Sequence, residues 1–330
     1  MIRKEGNSMQ IIVPMTGNGS RFVNAGYKEL KPLIKVQGRP IIQWIVEGVF
    51  PEEDNFIFVC RKEHIDTIDG MEQTLHSIAP TAKIFEIDDW VKKGPVYDIL
   101  RASDLIDDSL PTIINYCDFY MSWDWRGFKK RLAERDPDGC VPCYTGFHPH
   151  LMVLHNVYAS CLTDTSDNLI EIREKYSFEA DKTKSKHSPG TYYFKTGALL
   201  KKYCQALVDS GQELNGEYYA SLPYNFMVRD GLKVWIPTNI DYFCQWGTPE
   251  DMKEAEREYQ GKKTKKERDP NKPPVRSLHR IDFDDDEPMS FSSFKSTSFF
   301  FESITLYCKK ASDWSGIILN FPPNSLFQFL

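Results

Sequence analysis

Short apolar runs recur through the first third of the chain. They are of strand length, rich in β-branched or aromatic residues and nearly continuous: 9–15, 56–60, 83–87 and 112–117. Nearly continuous apolar runs of this kind are typical of strands that are buried on both faces. The segments between them have patterns compatible with helices: 40–49, 62–79 and 95–106. This alternation predicts a parallel sheet with right-handed helical crossovers.

The pattern changes after about residue 138. Further short strand candidates follow: 139–145, 151–157, 168–174, 190–195 and 232–236. Helical patterns are found in three more segments: 197–209, 215–230 and the charged segment 249–260. We therefore predict an α/β, Rossmann-like fold, in which a mixed but mainly parallel sheet is flanked by helices.

The C-terminal part of the chain has a different composition. We predict that residues 1–260 form the main domain and that the Lys/Arg-rich segment 261–280, with three prolines, is a solvated linker. The tail 281–330 is acidic at its start and then rich in Phe and Ser, with no steady period. The sequence assigns no fold to this tail.

Composition narrows the classes of function. The chain has 330 residues, 41% of them apolar, and a net charge of -6, which argues against nonspecific binding to nucleic acid. No apolar run approaches the roughly 20 residues of a membrane span, and residues 1–8 lack the apolar core of a signal peptide. These features predict a cytoplasmic protein that acts without a membrane.

The cysteines do not form a recognisable metal-binding pattern. Only Cys140 and Cys143, among eight cysteines, are spaced as CxxC, and a structural zinc site would need a second pair. We interpret them as reduced thiols in a packed strand. His148 and His150 lie nearby, and we interpret them as turn residues rather than metal ligands.

The segment 14–21 carries the first candidate chemistry. A predicted strand ends there, and Gly17 and Gly19 allow a tight turn whose bare N–H groups can approach phosphate. Arg21 follows and offers a forked donor. No GK[ST] follows, which excludes a Walker A loop, and Phe22 stands where a dinucleotide fingerprint needs glycine.

The string 12–22, followed by Lys-Pro-Leu-Ile at 31–34, resembles the signature of nucleotidyltransferases that activate sugar phosphates and related phosphorylated acceptors. Members of this family have a glycosyltransferase-A-like, Rossmann-related fold. The resemblance implies a set of residues that bind the triphosphate: Gly17, Asn18, Gly19, Arg21 and Lys31.

Later segments resemble the family in the same order, over about residues 9–256. Gly94 and Pro95 match a turn that contacts the nucleotide base, and Pro95 is also suited to begin a helix. Asp118 follows a buried strand and matches a Mg²⁺ ligand, although a turn or helix-cap role is the alternative. Lys175 matches the lysine that reaches the acceptor phosphate, with a solvated strand end as the alternative.

One position departs from the family pattern. Many relatives have a second metal-binding aspartate two residues before the glycine of the last motif, 247–251, and Gln245 occupies that position here. Asp241 lies nearby but is out of register. An amide oxygen is an acceptable ligand for Mg²⁺, so the identity of a second ligand stays open between Gln245 and Asp241.

The resemblance implies transfer of a nucleotidyl group from an NTP, with CTP or UTP favoured, to a phosphorylated small molecule. Sugar 1-phosphates, phosphocholine and phosphoglutamine are candidate acceptors, and surface-polysaccharide precursor synthesis is the expected context. Two alternatives remain: a glycosyltransferase, although the D-x-D motif is absent at Asp118-Phe119-Tyr120, and a non-catalytic regulatory relative. A homo-oligomer is compatible with either.

Overall fold

The computed structural model describes residues 9–152 and 156–263, which belong to one compact unit. Its strands are β1 Gln10–Pro14, β2 Lys35–Val36, β3 Arg39–Pro40, β4 Phe56–Arg61, β5 Lys83–Ile87, β6 Thr112–Asn115, β7 Phe119–Trp123, β8 Gly139–Cys140, β9 Ser160–Thr163, β10 Leu169–Arg173, β11 Lys186–His187, β12 Thr191–Phe194, β13 Val234–Trp235 and β14 Ile240–Gln245. Its helices are α1 Ser20–Asn24, α2 Ile41–Trp44, α3 Lys62–Thr67, α4 Met71–Ile78, α5 Pro95–Arg101, α6 Trp125–Arg135, α7 Gly197–Asp209, α8 Pro223–Arg229 and α9 Pro249–Lys263.

A seven-stranded sheet forms the centre of the fold, in the order β13-β8-β12-β6-β1-β4-β5. Strands β6, β1, β4 and β5 are parallel, whereas β12 runs antiparallel to both β6 and β8. The predicted fold class, including the mixed edge of the sheet, is confirmed.

The two faces of this sheet are both covered, as the unbroken apolar runs predicted. Ile11 and Val13 on β1 belong to one apolar cluster, while Ile12 between them belongs to the other. All three side chains are fully buried. Alternating side chains of a strand point to opposite faces, so β1 needs apolar residues at every position.

Three smaller sheets complete the described part of the chain. Strands β10, β9 and β11 form one, β14 pairs with β7 in another, and β2 pairs with β3 in the third. The β7–β14 pair joins two segments that are more than 100 residues apart, and the sequence did not predict it. It has a direct role in the site because β7 begins immediately after Asp118.

Several predicted boundaries were wrong for local reasons. The segment 62–79 is two helices, α3 and α4, because Gly70 adopts a left-handed conformation (φ 71°) between them. The predicted helix 215–230 shrinks to α8, since Asn215 and Gly216 form a left-handed turn. Pro223, which has no N–H to donate, then suits the first position of α8.

Two other predictions concern segments that are partly outside the described residues. The strand predicted at 151–157 was wrong at its start, where Pro149–Leu151 is a 3-10 turn, and residues 153–155 are not described. Beyond residue 263, the end of α9, the predicted linker and tail also lie outside the described residues. None of the helices in the described part combines the length and apolarity that crossing a bilayer requires.

Candidate nucleotide-binding site

The turn between β1 and α1 forms one wall of an open cleft. Gly19 is left-handed (φ 58°), which a residue with a side chain adopts at a cost, and its carbonyl accepts the Phe22 N–H at 2.8 Å. Phe22 is buried and fixes α1 against the core. The glycine turn therefore presents its backbone from a rigid base, and Arg21 on α1 is exposed.

The cleft has a volume of about 390 Å³. It brings together seven of the nine predicted site residues: Gly17, Asn18, Gly19, Lys31, Gly94, Pro95 and Asp118. Arg21 and Lys175 do not line it, although Arg21 is near enough to Lys31 to oppose its charge. The cleft lies where β1 and β6 end, at the edge where open parallel sheets bind their ligands.

Lys31 and Asp118 form an ion pair at the centre of the cleft. Lys31 Nζ lies 2.9 Å from Asp118 Oδ2, and both side chains are mostly buried, with 19% and 28% exposed. Burial of the ammonium would lower the pKa of Lys31, but the Asp118 carboxylate outweighs burial, and the pKa is raised. Lys31 therefore stays charged, with its ammonium held by Asp118 and its backbone close to Gly19.

The charged side chains of the cleft bear on whether it could hold a magnesium ion. Its charged lining consists of two lysines, Lys31 and Lys92, and three acids, Asp98, Asp118 and Glu217. In the described residues no group of three His, Cys, Asp or Glu side chains could by itself hold a metal. Mg²⁺ usually binds one or two protein carboxylates together with substrate phosphates, and Asp118 fits that role.

The β7–β14 pair shows where the two candidates for a second ligand lie. Gln245 pairs with Phe119, and the Trp246 N–H donates to the Asp118 carbonyl at 2.8 Å. Asp241 is exposed at the other end of β14, about 13 Å away along the strand. Gln245 is next to Asp118, but its side chain lines a small second cavity instead of the cleft.

That second cavity has a volume of about 30 Å³ and contains both predicted turn histidines. His150 Nε2 lies 2.7 Å from Asp251 Oδ1, and His150 Nδ1 lies 3.0 Å from the Tyr158 hydroxyl. Asp251 also accepts the Thr248 N–H, which forms a capping box at the start of α9. The 247–251 motif therefore fixes α9 to the segment that carries His150.

The predicted base turn is tied to a distant segment. Gly94 has a φ of 88°, and a Cβ at this position would lie 2.7 Å from the Tyr218 nitrogen. Tyr218 donates its N–H to the Lys93 carbonyl at 2.8 Å and accepts from the Val96 N–H at 3.2 Å. Glycine is therefore required at position 94 because of this close backbone contact.

Lys175 reaches the cleft through an aromatic neighbour. Its Nζ donates to the Tyr219 hydroxyl at 3.1 Å, and Tyr219 lines the cleft. The adjacent Glu174 accepts a hydrogen bond from the Ser221 hydroxyl at 2.5 Å, and burial raises the pKa of Glu174 to about 7. Lys175 and Glu174 thus both contact the 219–221 segment.

Sequence reasoning missed a polar cluster in the cleft. Asp98, which is 2% exposed, accepts hydrogen bonds from Thr16 Oγ1 at 2.5 Å and Trp90 Nε1 at 3.2 Å. Arg61 donates from Nε to the Thr16 carbonyl at 2.6 Å. The one available signal was an aspartate at a position of α5 that faces inward beside Val96 and Ile99.

No protein-family model matches this chain, and a search of curated proteins finds no significant relative. Solved structures do match. A nucleoside-diphosphate-sugar pyrophosphorylase from Vibrio cholerae is 18% identical, with a TM-score of 0.59, over 74% of this chain and 98% of its own. An apo UDP-glucose pyrophosphorylase is 13% identical, with a TM-score of 0.61, over 77% of this chain and 99% of its own. An inositol-1-phosphate CTP transferase from T. maritima is 12% identical, with a TM-score of 0.56, over 74% of this chain and 92% of its own. The chain has the fold of these nucleotidyltransferases, as its signature predicted.

Proposed function

We propose that this chain is an enzyme that transfers a nucleoside monophosphate from an NTP to a phosphorylated small molecule, with release of pyrophosphate. The observation that carries the proposal is the cleft itself. The glycine turn, the mostly buried cation Lys31 and Asp118 line one cleft at the carboxyl edge of the parallel sheet, and Lys31 is paired with Asp118. The shared fold with solved nucleotidyltransferases supports the same conclusion.

In this reaction an oxygen of the acceptor phosphate attacks the α-phosphorus of the NTP. The bond from the α-phosphorus to the bridging oxygen breaks, and pyrophosphate leaves with the electron pair. Because the nucleophile is already anionic, the site needs no strong base. Positioning and neutralisation of charge supply most of the rate enhancement.

Each predicted residue has a role that fits its position. The backbone N–H groups of Gly17, Asn18 and Gly19 bind the triphosphate, and Lys31 and Arg21 balance the charge on the leaving pyrophosphate. Asp118 would hold Mg²⁺, which, when bound, neutralises phosphate charge. Gly94 and Pro95 border the base. Lys175, beside Tyr219, holds the acceptor phosphate against repulsion from the NTP.

We further propose that the nucleotide is CTP or UTP and that the acceptor is a sugar 1-phosphate or a non-sugar phosphate such as phosphocholine or phosphoglutamine. An inositol phosphate is the acceptor named for one structure of the same fold, which supports an acceptor range wider than aldose sugars. A cytoplasmic role in surface-polysaccharide precursor synthesis is part of this proposal.

A matrix of four NTPs against these acceptors, with pyrophosphate release as the readout and Mg²⁺ present, tests the proposal. We expect release with one nucleotide and one acceptor class, and none when either is omitted. The Asp118→Asn protein is the matched negative control. Absence of NTP-dependent release across the matrix, together with no NTP binding by calorimetry, would contradict the proposal.

A further inference from the structure

One part of the cleft wall is aromatic. Trp90 lines the cleft and is partly exposed. One face of its indole is covered by the Arg61 guanidinium, whose carbon lies 3.3 Å from the ring centroid. Arg61 is itself buried, with 6% exposed, so it lies behind the indole as seen from the cleft. The opposite face of Trp90 therefore borders the open cleft.

The indole is held in one orientation. Its Nε1–H donates to Asp98 Oδ2, and the Thr16 hydroxyl donates to the same oxygen. Thr16 belongs to the turn that ends β1, and Arg61 in turn binds the Thr16 carbonyl. A hydrogen bond at one edge and a cation over one face fix both the tilt and the depth of the ring.

This arrangement is costly for stability. In the part of the chain that the structure describes, Asp98 Oδ1 and Arg61 Nη2 are buried without a hydrogen-bond partner. Burial raises the pKa of Asp98 and lowers the pKa of Arg61, because each charged form is poorly solvated. Buried polar groups that lack partners are rare in structural cores and are concentrated at functional sites.

We propose that Trp90 is the wall on which the nucleobase of the NTP stacks, and that Asp98 is the positioning residue that holds the indole for it. The proposal rests on the proposed function, since it places the base of the same NTP. Thr16, at the start of the glycine turn, and Trp90 both donate to Asp98 Oδ2 and both line the cleft, so one ligand can reach the turn and the indole. Stacking on an indole is available to every base, so Trp90 contributes affinity while the choice of base depends on other groups.

Calorimetry with the full chain and no acceptor tests this inference. The two probes are Mg²⁺–CTP (or Mg²⁺–UTP) and Mg²⁺–tripolyphosphate, which has no base. We expect Trp90→Ala to weaken NTP binding about 5- to 150-fold while leaving tripolyphosphate binding unchanged. Trp90→Phe should recover most of the affinity. Val91→Ala, which changes an exposed neighbour outside the cleft lining, should alter neither affinity.

The role of Asp98 is tested by a double-mutant cycle. Asp98→Leu should lower the ratio of NTP affinity to tripolyphosphate affinity in the wild-type background but not further in Trp90→Ala, because Asp98 acts through the indole. Asp98→Asn, which keeps an acceptor oxygen, should restore much of the ratio. An equal loss with both probes would show that the residue only supports the fold.

Three results separate the inference from the proposed function. Unchanged NTP affinity in Trp90→Ala would contradict stacking of the nucleobase on Trp90. It would not contradict the proposed nucleotidyltransferase activity. Equal affinity of the wild type for NTP and tripolyphosphate would show that the base adds no binding energy. That result would also contradict only the proposed base subsite. A wild type that binds neither probe overturns both.

Discussion

The phosphate half of the proposed site, at Lys31 and Asp118, and the acceptor half, where Lys175 contacts the cleft residue Tyr219, are built differently. Asp118 follows the central strand β6 by three residues and is bound directly to Lys31, which begins the 3-10 turn Lys31–Leu33. Lys175 and Glu174 follow β10, an edge strand of a separate three-stranded sheet, and their partners Tyr219 and Ser221 belong to an irregular segment before α8. Under the proposed function, phosphate binding would depend on residues at the edge of the main sheet, whereas acceptor binding would depend on two segments that meet at Lys175 and Tyr219.

The largest effect is expected at the centre of the phosphate half. Asp118→Asn removes the carboxylate that would hold Mg²⁺, and pyrophosphate release should fall about 10³-fold or more. Asp241→Asn is the matched control and should keep nearly full activity, because Asp241 is exposed at the far end of β14. Should Asp241→Asn abolish activity while Asp118→Asn keeps it, or should EDTA have no effect, the metal assignment is wrong.

Arg21→Ala is expected to have the next largest effect. Loss of the guanidinium should cost about 2–4 kcal/mol of transition-state stabilisation, or roughly 30- to 1000-fold in kcat/KM. The thermal midpoint should stay the same because Arg21 is exposed. Lys28→Ala, a nearby exposed cation, is the control. Activity within twofold of the wild type would refute the assignment of Arg21 to phosphate.

Lys175→Met separates the two halves. We expect KM for the acceptor to rise about 10-fold or more, since a charged hydrogen bond is lost, while the Kd for NTP stays constant. Lys184→Met, which changes an exposed lysine on the following 3-10 turn, is the control. An increase in the Kd for NTP instead would place Lys175 in the phosphate half.

The smallest effect concerns stability. Glu174 has a pKa of about 7 in the fold against an ordinary value of 4.5, so its neutral form is favoured by folding. The stability that it contributes is present below pH 4.5 and is lost as the pH rises to about 7. Glu174→Gln should therefore gain stability relative to the wild type between pH 5 and pH 8.

Solvent exposure of the Glu174 side chain limits this gain to about 1–3 kcal/mol. Urea denaturation at pH 5 and pH 8 measures it, with Glu179→Gln, an exposed carboxylate nearby, as the control. A difference that does not change with pH would contradict the raised pKa of Glu174.

The phosphate half could be predicted from sequence for a physical reason. An unbroken apolar run such as 10–14 must be a buried strand, and a glycine pair directly after it must turn at the edge of the sheet. The position of Asp118 follows from the same rule applied to β6. For these residues, the local sequence pattern is therefore enough to predict the position in the fold.

The rest of the cleft depends on contacts between distant segments. Thr16 and Asp98 are 82 residues apart along the chain, and Lys175 and Tyr219 are 44 residues apart. Neither contact produces a periodic pattern in the sequence from which it could be predicted. The same holds for β7 and β14, whose pairing sets Gln245 beside Asp118. Gly70 and the Asn215-Gly216 turn could not be distinguished from tolerated helix positions, because glycine and asparagine permit a left-handed conformation without requiring it.

The contact between Gly94 and Tyr218 has a consequence for how the two substrates influence each other. Two backbone hydrogen bonds join the base turn to the segment that carries Tyr219. A shift of one segment on ligand binding therefore moves the other, so occupancy by nucleotide should change the affinity for acceptor. Thermodynamic reciprocity then requires the acceptor to change the affinity for nucleotide by the same factor. A side chain at position 94 would meet the Tyr218 backbone, so it should disturb the two subsites of the proposed reaction together.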